Sequence, residues 1–389
     1  MKLGICGTGK IVKEVLPLLS DIKERYGTYE EFYLFAREES SEKAKRLEGS
    51  CPIEKIFYRY EELLSSDVEM LYLALPNNLH FAYAKEALLA GKHVLLEKPL
   101  CISLKEFQEL KDLSIERHCL LLEAMNIYFL PAFWKLKAAL SSLGPLRMVS
   151  LNFTQYSSRY DAFLEGDIKP CFDRAFAGGA LMDLGIYNIA FCAALFGKPR
   201  AIRYLPVLQR GIDTSGVLTL DYETFIVSSI AAKDCCSPAL NTLQGEKGAI
   251  SFTCPVNQLE SFQLSLRNAE GATEEEKKLM EQTENDKDKD NKDTNSAALE
   301  MTNDLPSHRL YAEFLAFPQI LKAYVAEDEK QRQEMDGETI EERTERKEEK
   351  EGMKAENKSS FSYQELLSLT ETCQEILEEA RKAAGISFA

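Results

Sequence analysis

Residues Lys2-Leu3-Gly4-Ile5-Cys6-Gly7-Thr8-Gly9-Lys10-Ile11-Val12 decide how the first third of the chain folds. A short apolar run meets a threonine flanked by glycines, and an amphipathic stretch starts at Lys10. Strand, tight turn and helix in that order predict the opening of a parallel α/β sheet. Gly7 permits the turn. Gly9 lets backbone approach an anionic group such as a pyrophosphate, which the helix N-terminus attracts through unpaired N–H groups and a positive dipole end. Val12 replaces the third glycine of the dinucleotide fingerprint, so the alternative is an ordinary turn.

The alternation continues to residue 125. Strands are predicted at Lys2–Cys6, Phe32–Ala36, Ile56–Tyr58, Met70–Leu75, His93–Leu96 and Cys119–Glu123. Helices are predicted at Lys10–Arg25, Ser40–Leu47, Tyr60–Leu64, Leu79–Ala90 and Leu104–Arg117. Continuous apolar strands between helices imply a doubly wound parallel sheet covered on both faces, a Rossmann domain over residues 1–125. After Pro131 the apolar runs lengthen and alternate: Met148–Tyr156, Ala201–Leu208, Gly216–Leu220, Phe225–Ala232, Ala249–Thr253 and Phe262–Leu266. They predict a mostly antiparallel open sheet over residues 126–389, packed with helices at Phe133–Leu143, Gly179–Phe196, His308–Tyr324 and Ser362–Ala384. Two segments, 270–304 and 327–358, are too polar to bury a core and are read as solvated loops, the second with some helical character.

The 389 residues suit two or three domains, and the formal net charge is −16. Segment 270–304 holds 12 acidic against 5 basic residues and 327–358 holds 13 against 8, so the two supply −12 of that charge. An acidic chain does not suit non-specific nucleic-acid binding. Ten cysteines without a Cys-x-x-Cys pair fit core thiols in a reducing cytoplasm. Four histidines without ligand-like spacing predict no metal site. The apolar start is too short for a signal peptide. The longest uncharged run in the most apolar helix, Leu184–Gly197, is shorter than a membrane span, so no membrane role is expected.

Four places carry candidate chemistry. The second strand ends Ala36-Arg37-Glu38-Glu39. An arginine there suits the 2′-phosphate of NADP, whereas Glu38 or Glu39 would serve NAD, leaving a surface arginine. After the fourth strand, Leu75, Pro76, Asn77 and His80 form a turn at the carboxyl edge of the sheet, although a lone histidine often only packs its helix. After the fifth strand stands Glu97-Lys98-Pro99. A lysine beside a nicotinamide hydrogen-bonds a substrate hydroxyl and assists its proton loss. Gly7, Thr8, Gly9, Lys10 and Ile11 with Lys98 therefore point to a nicotinamide-dependent enzyme. Finally, Asp183 and Tyr187 are four apart in a very apolar helix. An acid there is costly unless it is paired or lines a polar cleft. Tyr187 is then a candidate acid/base, with its phenol pKa lowered by Lys98. The alternative is a helix-start acid and a core tyrosine.

Jointly, Gly7-Thr8-Gly9, Pro76-Asn77-x-x-His80, Glu97-Lys98-Pro99, Glu123-Ala124 and Gly179-x-x-x-Asp183-x-Gly185-x-Tyr187 resemble the Gfo/Idh/MocA oxidoreductases, the glucose–fructose oxidoreductase and inositol dehydrogenase family. The resemblance spans nearly all of the chain outside the charged segments. It implies a catalytic group of Lys98, Asp183 and Tyr187, and hydride transfer between NADP or NAD and a CH–OH carbon of a sugar-like small molecule. Tyrosine at the last position looks like the dihydrodiol and xylose dehydrogenase branch. A carbonyl or dihydrodiol reductase with the same group, or a cofactor-sensing regulator, are the alternatives. Asn126, Tyr156, Arg159 and Tyr160 are further candidates for the substrate cleft. Tyr128-Phe129-Leu130-Pro131 departs from the Arg-Phe-x-Pro of many members, which removes any contact by that arginine. The resemblance also implies a homodimer or homotetramer formed through the C-terminal sheet.

Overall fold

The computed structural model describes residues 1–267, 295–299, 308–335 and 360–388. Strand β1 (Lys2–Cys6) lies inside a six-stranded parallel sheet with β2 (Glu31–Phe35), β3 (Ile53–Phe57), β4 (Met70–Leu73), β5 (His93–Glu97) and β6 (Leu121–Ala124). The order is β3-β2-β1-β4-β5-β6. The chain winds outward from β1 in one direction, then returns to the other side at β4. That reversal opens a crevice at the carboxyl ends of β1 and β4, where open α/β sheets take ligands. Residues 3–6 of β1 are all buried because helices cover both faces. Helix α1 (Lys10–Tyr26) buries Val12, Val15, Leu16, Leu19 and Ile22, a single stripe at helical spacing. Helices α2 (Ser41–Leu47), α3 (Tyr60–Leu64), α4 (Asn77–Leu89) and α5 (Leu104–Glu116) complete the layers.

Helix α6 (Pro131–Ala139) leads to a second, eight-stranded sheet. Its strands are β7 (Leu146–Thr154), β8 (Ala201–Gln209), β9 (Ile212–Asp221), β10 (Ile226–Ala232), β11 (Asn241–Gly245), β12 (Gly248–Phe252), β13 (Phe262–Leu266) and β14 (Asn295–Leu299). They run in the order β14-β13-β12-β11-β7-β10-β9-β8, antiparallel except for β7 beside β10. One face packs on helix α8 (Ile186–Phe196), which is hydrophobic almost all round and correspondingly buried. The short helix α7 (Tyr160–Leu164) follows β7. The apolar stretch within Arg174–Phe196 is 83% buried by protein, so its hydropathy belongs to the core.

Both C-terminal helices return to the first sheet. Helix α9 (Tyr311–Met335) lies on α1, where the Tyr29 hydroxyl donates to Phe314 O at 2.6 Å and the Tyr311 hydroxyl to Asp21 at 2.5 Å. Helix α10 (Tyr363–Ala383) starts with a Ser362/Glu365 capping box and packs on β6, α5 and α8. Its Arg381 donates to Ile102 O at 2.6 Å, and its Glu378 accepts from Leu104 N at 2.6 Å.

The differences from the sequence reading have local causes. β11 reads Asn-Thr-Leu-Gln-Gly and buries only Asn241 and Leu243, too little apolar signal to register as a strand. β14 falls in segment 270–304, which is expected to be a loop, and the end of α9 falls in segment 327–358, whose expected helical character it bears out as far as Met335. The backbone of 295–299 pairs antiparallel with β13. The rest of both segments lies outside the described residues. The expected helix Gly179–Phe196 divides into a π-helical turn, Leu181–Gly185, followed by α8. Such wide turns concentrate at functional sites.

Candidate active site

A cleft of about 610 Å³ runs from the crevice beside β1 to the π-turn above α8. At its nucleotide end Gly7 adopts φ +125°, and a Cβ there would stand 2.4 Å from Ala74 O, so the turn admits only glycine. Gly9 has nothing within 4 Å of where its Cβ would be, which leaves room in front of the helix. The start of α1 has no side-chain cap and no acid in its first turn. Uncapped N–H groups, a positive helix end and open space fit a pyrophosphate, and Gly7, Thr8, Gly9, Lys10 and Ile11 line that part of the cleft. Arg37, Ser40, Lys43 and Tyr83 line the region beyond β2, whereas Glu38 and Glu39 are not among the lining residues.

Leu75, Pro76 and Asn77 line the middle, and the Asn77 amide donates to Ala177 O at 3.1 Å, tying this turn to the second half of the chain. His80 is not in the cleft, contrary to expectation. It is fully buried, with its ring nitrogens 2.9 Å from Leu75 O and 2.8 Å from Pro99 O. These contacts brace the loops after β4 and β5, so any effect of His80 on a ligand passes through those loops.

Lys98, Asp183 and Tyr187 meet at the far end. Lys98 Nζ donates to Asp183 O at 2.9 Å and to Asp183 Oδ1 at 3.1 Å, and stands 4.7 Å from the Tyr187 ring centre. Asp183 Oδ2 accepts from Lys233 Nζ at 2.7 Å. Burial alone would raise the Asp183 carboxyl, but Lys233 and Lys98 outweigh it and hold the group well below the usual carboxylate range. Burial likewise works against the Lys98 ammonium, yet Tyr187, Asp183 and Glu97 together raise its pKa. Lys98 therefore stays charged through the physiological range. Tyr187 departs from the sequence reading. Burial of its phenol exceeds the opposing pull of Lys98 and Arg309, so the pKa is raised, not lowered. Glu97 also lines the cleft, accepts from the Tyr72 hydroxyl at 2.5 Å, and has its carboxyl pKa raised by burial.

Asn126 and Arg159 also line the cleft. Asn126 is held by donating to Asn257 O at 2.8 Å and Arg309 O at 3.0 Å. Tyr156 and Tyr160 are not brought into the cleft. Tyr156 is exposed, with its hydroxyl on Asp161 at 2.6 Å. The Tyr160 ring is buried against Phe163 and Phe172, and its hydroxyl meets Gln209. Alternation along β7 and its exit loop does not fix which way a following aromatic turns, and an apolar cluster captured this one. Tyr128 also points away, its hydroxyl 3.7 Å from Cys373 Sγ.

Two cations that the sequence reading missed matter here. Lys233 ends the run Ile230-Ala231-Ala232-Lys233, the same strand-then-lysine signal that marked Lys98. Arg309 lines the cleft and donates to Glu14 on α1 at 2.9 Å. It precedes α9 and follows the charged segment, where no periodicity pointed to a site.

Fold and site together define a dinucleotide-dependent oxidoreductase, and comparison with known proteins specifies the class. Residues 1–125 match the oxidoreductase family with an NAD-binding Rossmann fold, and residues 133–251 match the GFO/IDH/MocA C-terminal domain. The chain is 34% identical over 253 residues to scyllo-inositol 2-dehydrogenase (NADP(+)) IolU of Bacillus subtilis, covering 64% of this chain and 75% of that one. It is 32% identical over 252 residues, with the same coverage, to the uncharacterized oxidoreductase YgjR of Escherichia coli. In fold it is similar to KijD10, a 3-ketoreductase from Actinomadura kijaniata solved with NADP and TDP-benzene, at TM-score 0.69 and 17% identity over 98% of this chain and 97% of that chain. The chain belongs to the Gfo/Idh/MocA oxidoreductase family and is an NAD(P)-dependent dehydrogenase.

Proposed function

We propose that the enzyme interconverts a secondary alcohol or cyclic hemiacetal carbon of a sugar or polyol with the corresponding carbonyl, using NADP in preference to NAD. The observation that carries this reading is the meeting of Lys98, Asp183 and Tyr187 at one end of a cleft whose other end is the Gly7–Ile11 turn. When bound, the nicotinamide supplies or accepts the hydride. Tyr187 exchanges the hydroxyl proton. The Lys98 ammonium, 4.7 Å from that ring, favours the phenolate. The Asp183 side chain keeps 40% of its surface open and accepts a hydrogen bond from a substrate hydroxyl. Asn126 and Arg159 also line the cleft and are placed to contact the polyol.

Arg37 and Lys43 at the end of β2, with no carboxylate in the lining there, support NADP. The name of the Bacillus relative supports the same cofactor and an inositol-like substrate. Arg37→Ala is expected to raise KM for NADP by about 10–100-fold, the loss of one charge-assisted hydrogen bond, and to leave KM for NAD unchanged. Initial rates with each cofactor check this, and equal effects on both would exclude a 2′-phosphate contact.

The outer face of the second sheet exposes Met148, Leu205, Val207, Ile226 and Ile230, which supports self-association through that sheet. Light scattering is expected to give a dimer or tetramer that Leu205→Lys dissociates; a monomeric wild type would remove the proposal. The catalytic reading itself is tested by assaying scyllo-inositol, other inositols and aldoses for reduction of NADP and NAD. Reduction with at least one polyol and NADP supports it, and no reduction with any of them counts against it.

A further inference from the structure

Asp183 is the acid between two lysines, and Lys98 alone does not account for its charge. Lys233 is fixed on every side. Its backbone N–H donates to Thr214 O at 2.8 Å, and its carbonyl accepts from Ser157 N at 2.9 Å. Its ammonium donates to Cys171 O at 2.8 Å and to Asp183 Oδ2 at 2.7 Å, and lies 4.7 Å from the Phe172 ring centre. The Lys233 side chain is 3% exposed, and it is not among the residues lining the cleft. A buried cation that touches the reactive acid but not the ligand space acts through that acid.

We propose that Lys233 is a positioning residue: it holds Asp183 ionised and turned toward the cleft, and so keeps Lys98 available to Tyr187. This rests on the roles given above to Asp183 and Tyr187. The charges explain how. Tyr187 faces Lys98 and Glu97 from the end of β5, Asp183 from the π-turn, Arg309 from the segment before α9, and the Phe153 ring from β7. Arg309 is paired with Glu14. One carboxylate between two ammoniums leaves the clamp with one excess positive charge beside the phenol. Without Lys233, Asp183 and Lys98 neutralise each other, and that excess is lost. Asp183 also loses the cation that does most to offset its burial. Its carboxyl pKa then rises, and the carboxylate is lost at higher pH than in the wild type.

The test reads Asp183 directly and needs no substrate. In protein labelled with ¹³C at the aspartate carboxyl carbon, the Asp183 resonance is identified by its loss in Asp183→Asn. In the wild type it is expected to remain that of a carboxylate down to strongly acid pH. In Lys233→Gln its midpoint is expected to move up by about 1–3 pH units, the usual effect of one adjacent cation. Lys233→Arg, which keeps the charge, is expected to restore the wild-type midpoint. An unmoved midpoint in Lys233→Gln overturns the inference, whatever the polyol assay shows. A moved midpoint with no polyol oxidised overturns only the catalytic reading. Should Lys233→Gln not be obtained folded, Lys233→Gln is placed on Asp183→Asn. Recovery of a folded protein there supports a role through the Asp183 charge, and continued failure to fold shows a merely structural lysine.

Discussion

Lys98→Met is expected to lower kcat/KM by about 10²–10⁴-fold while cofactor affinity and thermal stability stay near wild type. The methionine fills a similar volume, and Asp183 retains Lys233 on Oδ2, so no unpaired buried charge is created. What is lost is the ammonium 4.7 Å from the Tyr187 ring. Burial already raises the phenol, with Lys98 the largest opposing influence. Its removal must raise the phenol pKa further. In the oxidising direction Tyr187 has to be ionised to accept a proton, so the alkaline rise of kcat/KM is expected to move to higher pH in the variant. Steady-state rates across pH, with NADPH binding followed by fluorescence, check both parts. Turnover equal to wild type would show that Lys98 is not part of the proton-handling group.

Tyr187→Phe should be nearly as severe and more specific. The ring packs 5.8 Å from Phe153, and phenylalanine preserves that contact, so only the hydroxyl is removed. The expected loss in kcat is about 10²–10⁴-fold, the usual worth of a placed acid/base, with KM for the cofactor unchanged. The sign with pH follows from the raised phenol. At neutral pH Tyr187 is protonated, ready to give a proton to a nascent alkoxide when a carbonyl is reduced. Oxidation gains as pH climbs toward the phenol pKa. In Tyr187→Phe that climb should be absent. A variant that keeps both its rate and its alkaline climb would assign the proton transfer elsewhere.

The first sheet was legible because its strands, the edge strand β3 apart, are buried on both faces and its helices on one. Leu3, Ile5 and Cys6 write one pattern, and Val12, Val15 and Leu19 write the other. The candidate site was legible where a costly residue stood in a telling place: a lysine closing an apolar strand, an acid inside an apolar helix. His80 was misplaced because a turn histidine at the sheet edge looks the same whether it faces a ligand or braces two carbonyls. Only the fold shows that it sits between Leu75 O and Pro99 O. Tyr160 failed for a related reason: its partner Phe163 shares the short helix α7, but Phe172 lies across a loop whose path no periodicity records. Arg309 was invisible because it is distant in sequence from everything it serves, including Glu14 on the first helix. The phenol pKa was misjudged because a pairwise reading saw Lys98 and could not weigh the burial around the ring.

The central claim is hydride transfer from a CH–OH carbon at the Lys98–Asp183–Tyr187 end of the cleft. The most direct measurement follows the hydrogen itself. Scyllo-inositol carrying deuterium on its ring carbons is incubated with NADP and the enzyme, and the reduced cofactor is examined by NMR. Deuterium at nicotinamide C4, formed by the wild type and about 10²–10⁴-fold more slowly by Lys98→Met, is the expected result. Reduced cofactor without deuterium, or equal deuterium transfer by both proteins, would contradict the account.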